Sequence, residues 1–294
     1  MSDSNDKNYT FAKESDGTIQ ITFTIAKEII SENQKRALEE LGKDIEVPGF
    51  RKGNAPMEKV KDSVSKEKLI EKTLSGVLPK MLSETLIAEK IKPSIYPKFE
   101  LVSVPEDGDW QVRAHLCEIP PFDLNDYKTK IKGVASDAKI WTPEKGNSEE
   151  KDEKLTRSEK EQKIIEFLLT TIKPTVPKIL IDEEVNSRLS QLLSRTEKLG
   201  LTLEGYLSSI GKTPQTLRDE YIKQSEEAIR LELILEKIAL EEKISVSDNE
   251  IDEAVKASSS DPTILDKVNT PEQRSYIKTI LSRRKALDFL LSLL

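Results

Sequence analysis

The 294-residue chain has one cysteine, Cys117, and one histidine, His115. A single thiol allows no intrachain disulfide, so nothing here calls for an oxidising compartment. His115 falls in an expected strand, and one histidine with one cysteine is thin material for a zinc site or a Ser-His-Asp triad. Aromatic residues make up 5% and methionines number three, so any core must be built mainly from Leu and Ile. No apolar run approaches the roughly 20 residues needed to span a bilayer. The polar opening, Met1 to Asn8, lacks the apolar core of a signal peptide. The chain is therefore expected to be soluble and cytoplasmic, with residues 1–8 disordered.

What the chain has in abundance is charge, at 34% of residues. A net charge of -7 argues against a general nucleic-acid binder, whose footprint is broadly basic. The local balance differs: residues 51–72 hold seven basic residues against four acidic ones, a +3 stretch in an acidic protein. The length suffices for one large core or two modest ones.

The first third alternates strand and helix. Ile19, Ile21, Phe23 and Ile25 interleave with polar residues at the period of a half-buried strand. A helix is expected over about 27–41, stopped by Gly42, and a short one after Pro56. A longer helix over about 65–91 carries Leu74, Val77, Leu78, Met81 and Leu82 at three-and-four spacing and is ended by Pro93. Strands around Phe99–Val104 and Trp110–Leu116 flank the turn Pro105-Glu106-Asp107-Gly108. The pattern predicts a small antiparallel sheet packed on a long helix.

Between the first two helices lies Gly49-Phe50-Arg51-Lys52-Gly53-Asn54-Ala55-Pro56. Its Gly and Pro residues favour a tight, exposed tip. That tip presents an aromatic and two adjacent cations, suited to an apolar pocket beside carboxylates or phosphates. The Gly-Phe-Arg-x-Gly-x-x-Pro signature, with strand and helix before it and helices after, resembles the ribosome-docking loop of bacterial trigger factors. Every fixed position is filled. The resemblance implies that Phe50, Arg51 and Lys52 contact ribosomal protein and RNA on the large subunit beside the exit tunnel, while Gly49, Gly53 and Pro56 shape the loop. Asn54 stands where the family often carries a cation.

Full-length members of that family insert an FK506-binding-type prolyl isomerase after the docking domain. Here the tract Glu144–Lys163 has 13 charged residues in 20 and one Leu. Such a composition buries too little apolar area to fold alone, and Trp141 is the one aromatic between Ile131 and Ser158. A charged linker over 126–157 is expected in place of the isomerase, with no catalytic residues, no metal and no cofactor.

The last half is helical. Ile164, Leu168 and Ile172 form a stripe ending at Pro174. Val176-Pro177, followed by an expected helix start at Asp182-Glu183-Glu184, resembles the entry to the trigger factor C-terminal domain. Thr213-Pro214, Ser247-Asp248-Asn249-Glu250 and Thr270-Pro271 are helix-start signals. The terminal run Leu287–Leu294 is apolar nearly all round, which suits burial between neighbouring helices or a groove for unfolded segments.

The expected architecture is an α+β docking domain over 1–125, the linker, and an all-α domain with helical arms over 158–294. The resemblance implies an ATP-independent chaperone that docks at the ribosomal exit and shields nascent or unfolded chains. A ribosome-independent holdase or assembly chaperone, as a homodimer, stands as the alternative.

Overall fold

The computed structural model describes residues 8–137, 156–258 and 270–294. Residues 1–7, Trp141 and the first part of the Glu144–Lys163 tract lie outside them. The chain divides into two compact units, Met1–Ile119 and Pro120–Leu294.

The first unit contains a four-stranded antiparallel sheet in the order β1-β2-β4-β3: β1 Tyr9–Lys13, β2 Thr18–Ile25, β3 Lys98–Ser103 and β4 Trp110–Cys117. The alternation in β2 works as its period demands. Ile19, Ile21, Phe23 and Ile25 lie opposite Leu116, Ala114, Val112 and Trp110, and all eight side chains are buried. Helices α1 (Lys27–Asp44) and α3 (Lys66–Ala88) supply Ile30, Leu74, Val77 and Leu78 to the same core. Fully burying a side chain of this size stabilises by about 1.5–3 kcal/mol. Phe23→Ala would cost about 3–5 kcal/mol.

Three details depart from expectation in this unit, and Pro79 is a fourth that patterning does not explain. β1 is an added strand: four of its five side chains are exposed, so it has no buried stripe to announce it. Helix α1 runs through Gly42, because a Cβ there would stand 3.2 Å from Val60 of the short helix α2 (Met57–Ser63). Close approach of two helices selects glycine at that point rather than termination. Pro79 sits inside α3, where it removes one ladder hydrogen bond, yet buried Val77 and Leu78 hold the helix together across it. That helix ends at Ala88 with Lys90 in the left-handed region (φ 54°), ahead of Pro93.

The second unit is helical: α4 Tyr127–Asp137, α5 Arg157–Thr171, α6 Lys178–Lys198, α7 Leu203–Ser209, α8 Pro214–Glu241, α9 Asp248–Ser258 and α10 Pro271–Ser292. The expected capping residues act as caps. Thr216 N–H donates to Thr213 Oγ1 at 3.1 Å, and Ser247 N–H donates to Glu250 Oε2 at 2.9 Å. Helix α6 begins four residues before Asp182, directly after Pro177, so its acidic residues do not form the first turn.

Residues 126–137 do not behave as linker. Leu124, Tyr127 and Ile131 are buried with Ile164 and Leu168 of α5, Ile172 just past its end, Ile234 and Ile238 of α8, and Leu290 of α10. Tyr127 Oη donates to Glu242 Oε1 at 2.8 Å, and Lys128 Nζ lies 2.6 Å from the same carboxylate. Burial and that hydrogen bond push the Tyr127 phenol well above its usual range. The apolar run Leu287–Leu294 packs on this core with Leu290 fully buried, which accounts for most of its greasy surface.

Candidate functional site

The candidate loop leaves the end of α1 and re-enters the fold at α2. Its base is pinned by a small core distinct from the sheet core, in which Leu38, Val47 and Val60 are buried and Ile45, Ala55, Val64 and Leu69 pack around them. Two consecutive turns shape the rest. Phe50 N–H donates to Val47 O at 3.0 Å across Pro48-Gly49, and Asn54 N–H donates to Arg51 O at 2.9 Å across Lys52-Gly53. Gly49 and Gly53 occupy the third position of each turn with φ of 85° and 84°. A type II turn needs positive φ there, which explains glycine at both places. Nothing lies within 4 Å of a Cβ built on Gly49, so conformation and not space selects the residue.

The two turns leave Phe50, Arg51 and Lys52 contiguous on the exposed face of the loop. Phe50 is 43% exposed. Arg51 makes no ion pair among the described residues, and Lys52 Nζ is 4.0 Å from Asp44 with both side chains largely in solvent. A pair at that distance in water is worth little, so both cations remain available. Lys59, Lys61 and Lys68 likewise make no ion pair among the described residues, whereas Lys66 pairs with Glu106 and Lys72 with Glu40. Glu106 and Glu40 lie outside residues 51–72 and offset two of the three excess charges, so the remaining excess rests on cations that make no close ion pair among the described residues. Met57, 40% exposed on the first turn of α2, adjoins the loop in sequence. Patterning does not single it out, because it falls outside any apolar stripe.

The arrangement offers an apolar anchor and a fork of charge-assisted donors, with no nucleophile or base. Among the described residues, no group of three or more His, Cys, Asp and Glu is placed to hold a metal. His115 Nε2 lies 3.1 Å from Glu100 on the polar face of the sheet, away from the loop. Among the described residues no helix is long and apolar enough to cross a membrane.

In the second unit, Leu193, Leu199, Leu201 and Ile210 are exposed where α6 gives way to α7 and α7 ends. They belong to none of the buried clusters. Leu240, Tyr276 and Ile280 are exposed as well.

Comparison with known proteins gives these features a family. A model of the bacterial trigger factor protein matches residues 7–147, and a model of the bacterial trigger factor C-terminus matches residues 144–292. The two matches meet at 144–147, so no isomerase domain stands between them. A trigger factor of Clostridium beijerinckii is 24% identical over 204 residues, covering 67% of this chain and 48% of that protein. One of Streptococcus agalactiae is 31% identical over 137 residues, covering 47% of this chain and 31% of the relative. The chain thus spans half or less of these relatives' length. A solved trigger factor chaperone, described for promiscuous substrate recognition in folding and assembly activities, superposes with a TM-score of 0.57 at 15% identity. That superposition covers 97% of this chain and 99% of the other, and it shows a shared fold. With one family model on each half and the α+β-then-helical order between them, the chain belongs to the bacterial trigger factor family, in a form without the inserted isomerase domain.

Proposed function

We propose that this protein is an ATP-independent cytoplasmic chaperone that docks on the large ribosomal subunit near the exit tunnel and shields nascent or unfolded chains. The observation that carries the reading is the loop: exposed Phe50 beside two cations without strong partners, held by two glycine turns on a separate small core. Phe50 enters an apolar pocket of a ribosomal protein. Arg51 makes a planar, charge-assisted contact with a carboxylate or phosphate, and Lys52 adds a screened point charge. Gly49, Gly53 and Pro56 set the loop's shape.

Shielding falls to the helical unit. Its exposed leucines and isoleucines give distributed apolar surface among charged residues, which binds without directional chemistry. No step needs a cofactor, and the protein acts by binding rather than by catalysis. Co-sedimentation with ribosomes across a salt series tests the reading. Pelleting at low salt that declines as salt rises is expected, since exposed cations lose range with shorter screening lengths. Suppressed aggregation of a denatured protein without ribosome pelleting would favour a holdase acting off the ribosome as a dimer.

A further inference from the structure

Among the described residues β3 pairs with β4 alone, which leaves the outer edge of its Phe99–Ser103 stretch without a strand partner. Register puts Phe99 opposite Ala114 and Leu101 opposite Val112. Both partners are fully buried, so Phe99 and Leu101 stand on the core face of the sheet. They are nevertheless 43% and 50% exposed and belong to no core cluster. The core face therefore runs on past the cover that α1 and α3 provide. It ends in an apolar ledge beside an open edge, with Tyr96 (90% exposed) just before it. The register shift between Leu101 and Ser103 closes the pairing stretch at its far end.

We propose that the β3 edge accepts an extended segment of an unfolded polypeptide as a fifth strand, its alternate apolar side chains resting on Phe99 and Leu101. For the class of partner this rests on the chaperone reading; it is independent of ribosome docking. Backbone pairing is blind to sequence, which suits a binder of many clients, while the ledge rewards apolar residues at every second position. A second copy of the chain fits the edge less well. Four regular residues extend only about 13 Å, too short a seam to bury by itself the roughly 1,000 Å² of a stable interface.

Exposed cations at the start of β3 favour an acidic end of the client there. Ser94 N–H bonds Cys117 O and Lys92 N–H reaches Glu118, so the chain before β3 continues along the end of β4. Lys90 and Lys92 are exposed there and make no ion pair among the described residues. A client strand antiparallel to β3 brings its C-terminal end to these cations and gains from acidic residues there.

The test is hydrogen exchange of the full-length protein with a capped peptide of about eight residues, alternating Leu and Ser and ending in Asp-Asp. Saturating peptide is expected to slow exchange of the Lys98–Ser103 amides at least roughly tenfold. The same peptide N-methylated at alternate residues should give no protection, and a Lys-Lys ending should give less. Phe99→Lys with Leu101→Lys should abolish the effect. Because both side chains are half-exposed the variant is expected to fold, and the N-methyl arm stands without it. Unchanged β3 exchange with peptide bound elsewhere would overturn the proposal, as would equal protection by the N-methylated peptide. Concentration-dependent β3 protection without peptide would assign the edge to a second copy instead. Equal protection by the Lys-ended peptide would overturn the assigned polarity. Ribosome pelleting and aggregation suppression by the helical unit read the other proposal separately.

Discussion

Replacing Gly49 and Gly53 together by alanine perturbs the loop while leaving Phe50, Arg51 and Lys52 in place. Both glycines hold φ near 85°, and a Cβ at Gly53 would find only Lys43 O, at 3.9 Å. No clash contributes, so the cost is conformational, about 1–2 kcal/mol per L-residue in the left-handed region. The pair therefore loses about 2–4 kcal/mol in the observed geometry. If the turns persist, the loss appears as lower unfolding free energy. If they rearrange, it appears as weaker docking, at tenfold for each ~1.4 kcal/mol. The sum of the two losses is the expected quantity. Denaturant unfolding and ribosome affinity measured on one preparation give both. Gly76→Ala is the control: it lies within α3 with Asn33 Oδ1 3.4 Å from the new Cβ, and should be neutral or stabilising by up to ~1 kcal/mol. If stability and docking of the double variant both stay within about 0.5 kcal/mol of the parent, loop geometry is not what the partner reads.

Other outcomes follow from the same structure. Ile131→Ala should cost about 2–5 kcal/mol in the helical unit, because Ile131 is fully buried in its core; a neutral result in a denaturation curve would return residues 126–137 to the linker. Glu250 accepts from Lys285 Nζ and from Ser247, which holds its carboxyl down at about 2. Its folded value lies below its ordinary 4.5, so the stabilisation is present above 4.5 and is lost as pH falls toward 2. Urea midpoints of the parent and of Glu250→Gln should converge over that window, and parallel curves would contradict the assignment. In a prolyl-isomerase assay on a short Xaa-Pro peptide the protein should not accelerate isomerisation; a measured acceleration would overturn the proposal that it acts by binding rather than by catalysis.

How far the fold was legible varied with the physical origin of each element. β2 declared itself because its apolar residues alternate and its buried face is filled from its own sequence. Helices α8 and α9 declared themselves through Thr213 and Ser247, whose caps are local. α4 did not, because Tyr127 and Ile131 gain burial only from α5, α8 and α10, residues far away in sequence. Gly42 looked like a stop because its partner, Val60, comes from the next helix. β1 is held by pairing with β2 while its side chains stay exposed, so periodicity had little to report. Of the candidate site, the residues Phe50, Arg51 and Lys52 could be named from the motif. The tight tip was legible in its Gly and Pro residues, but the small core beneath it was not, since Leu38, Val47 and Val60 come from three separate segments. The half-uncovered state of Phe99 and Leu101 was likewise invisible, because their alternation reads as ordinary strand.

The central claim, that this loop docks the protein on the ribosome, is tested most directly by pelleting the Phe50→Ala, Arg51→Ala, Lys52→Ala triple variant with ribosomes at low salt. The substitution removes an exposed aromatic anchor and two cations from a loop outside the sheet core and the helical core. Each charge-assisted hydrogen bond lost is worth about 1.5–3 kcal/mol, so affinity should fall at least roughly tenfold. Thermal stability and suppression of aggregation should stay at the parent level. Unchanged pelleting, or equal loss of pelleting and aggregation suppression, would contradict the account.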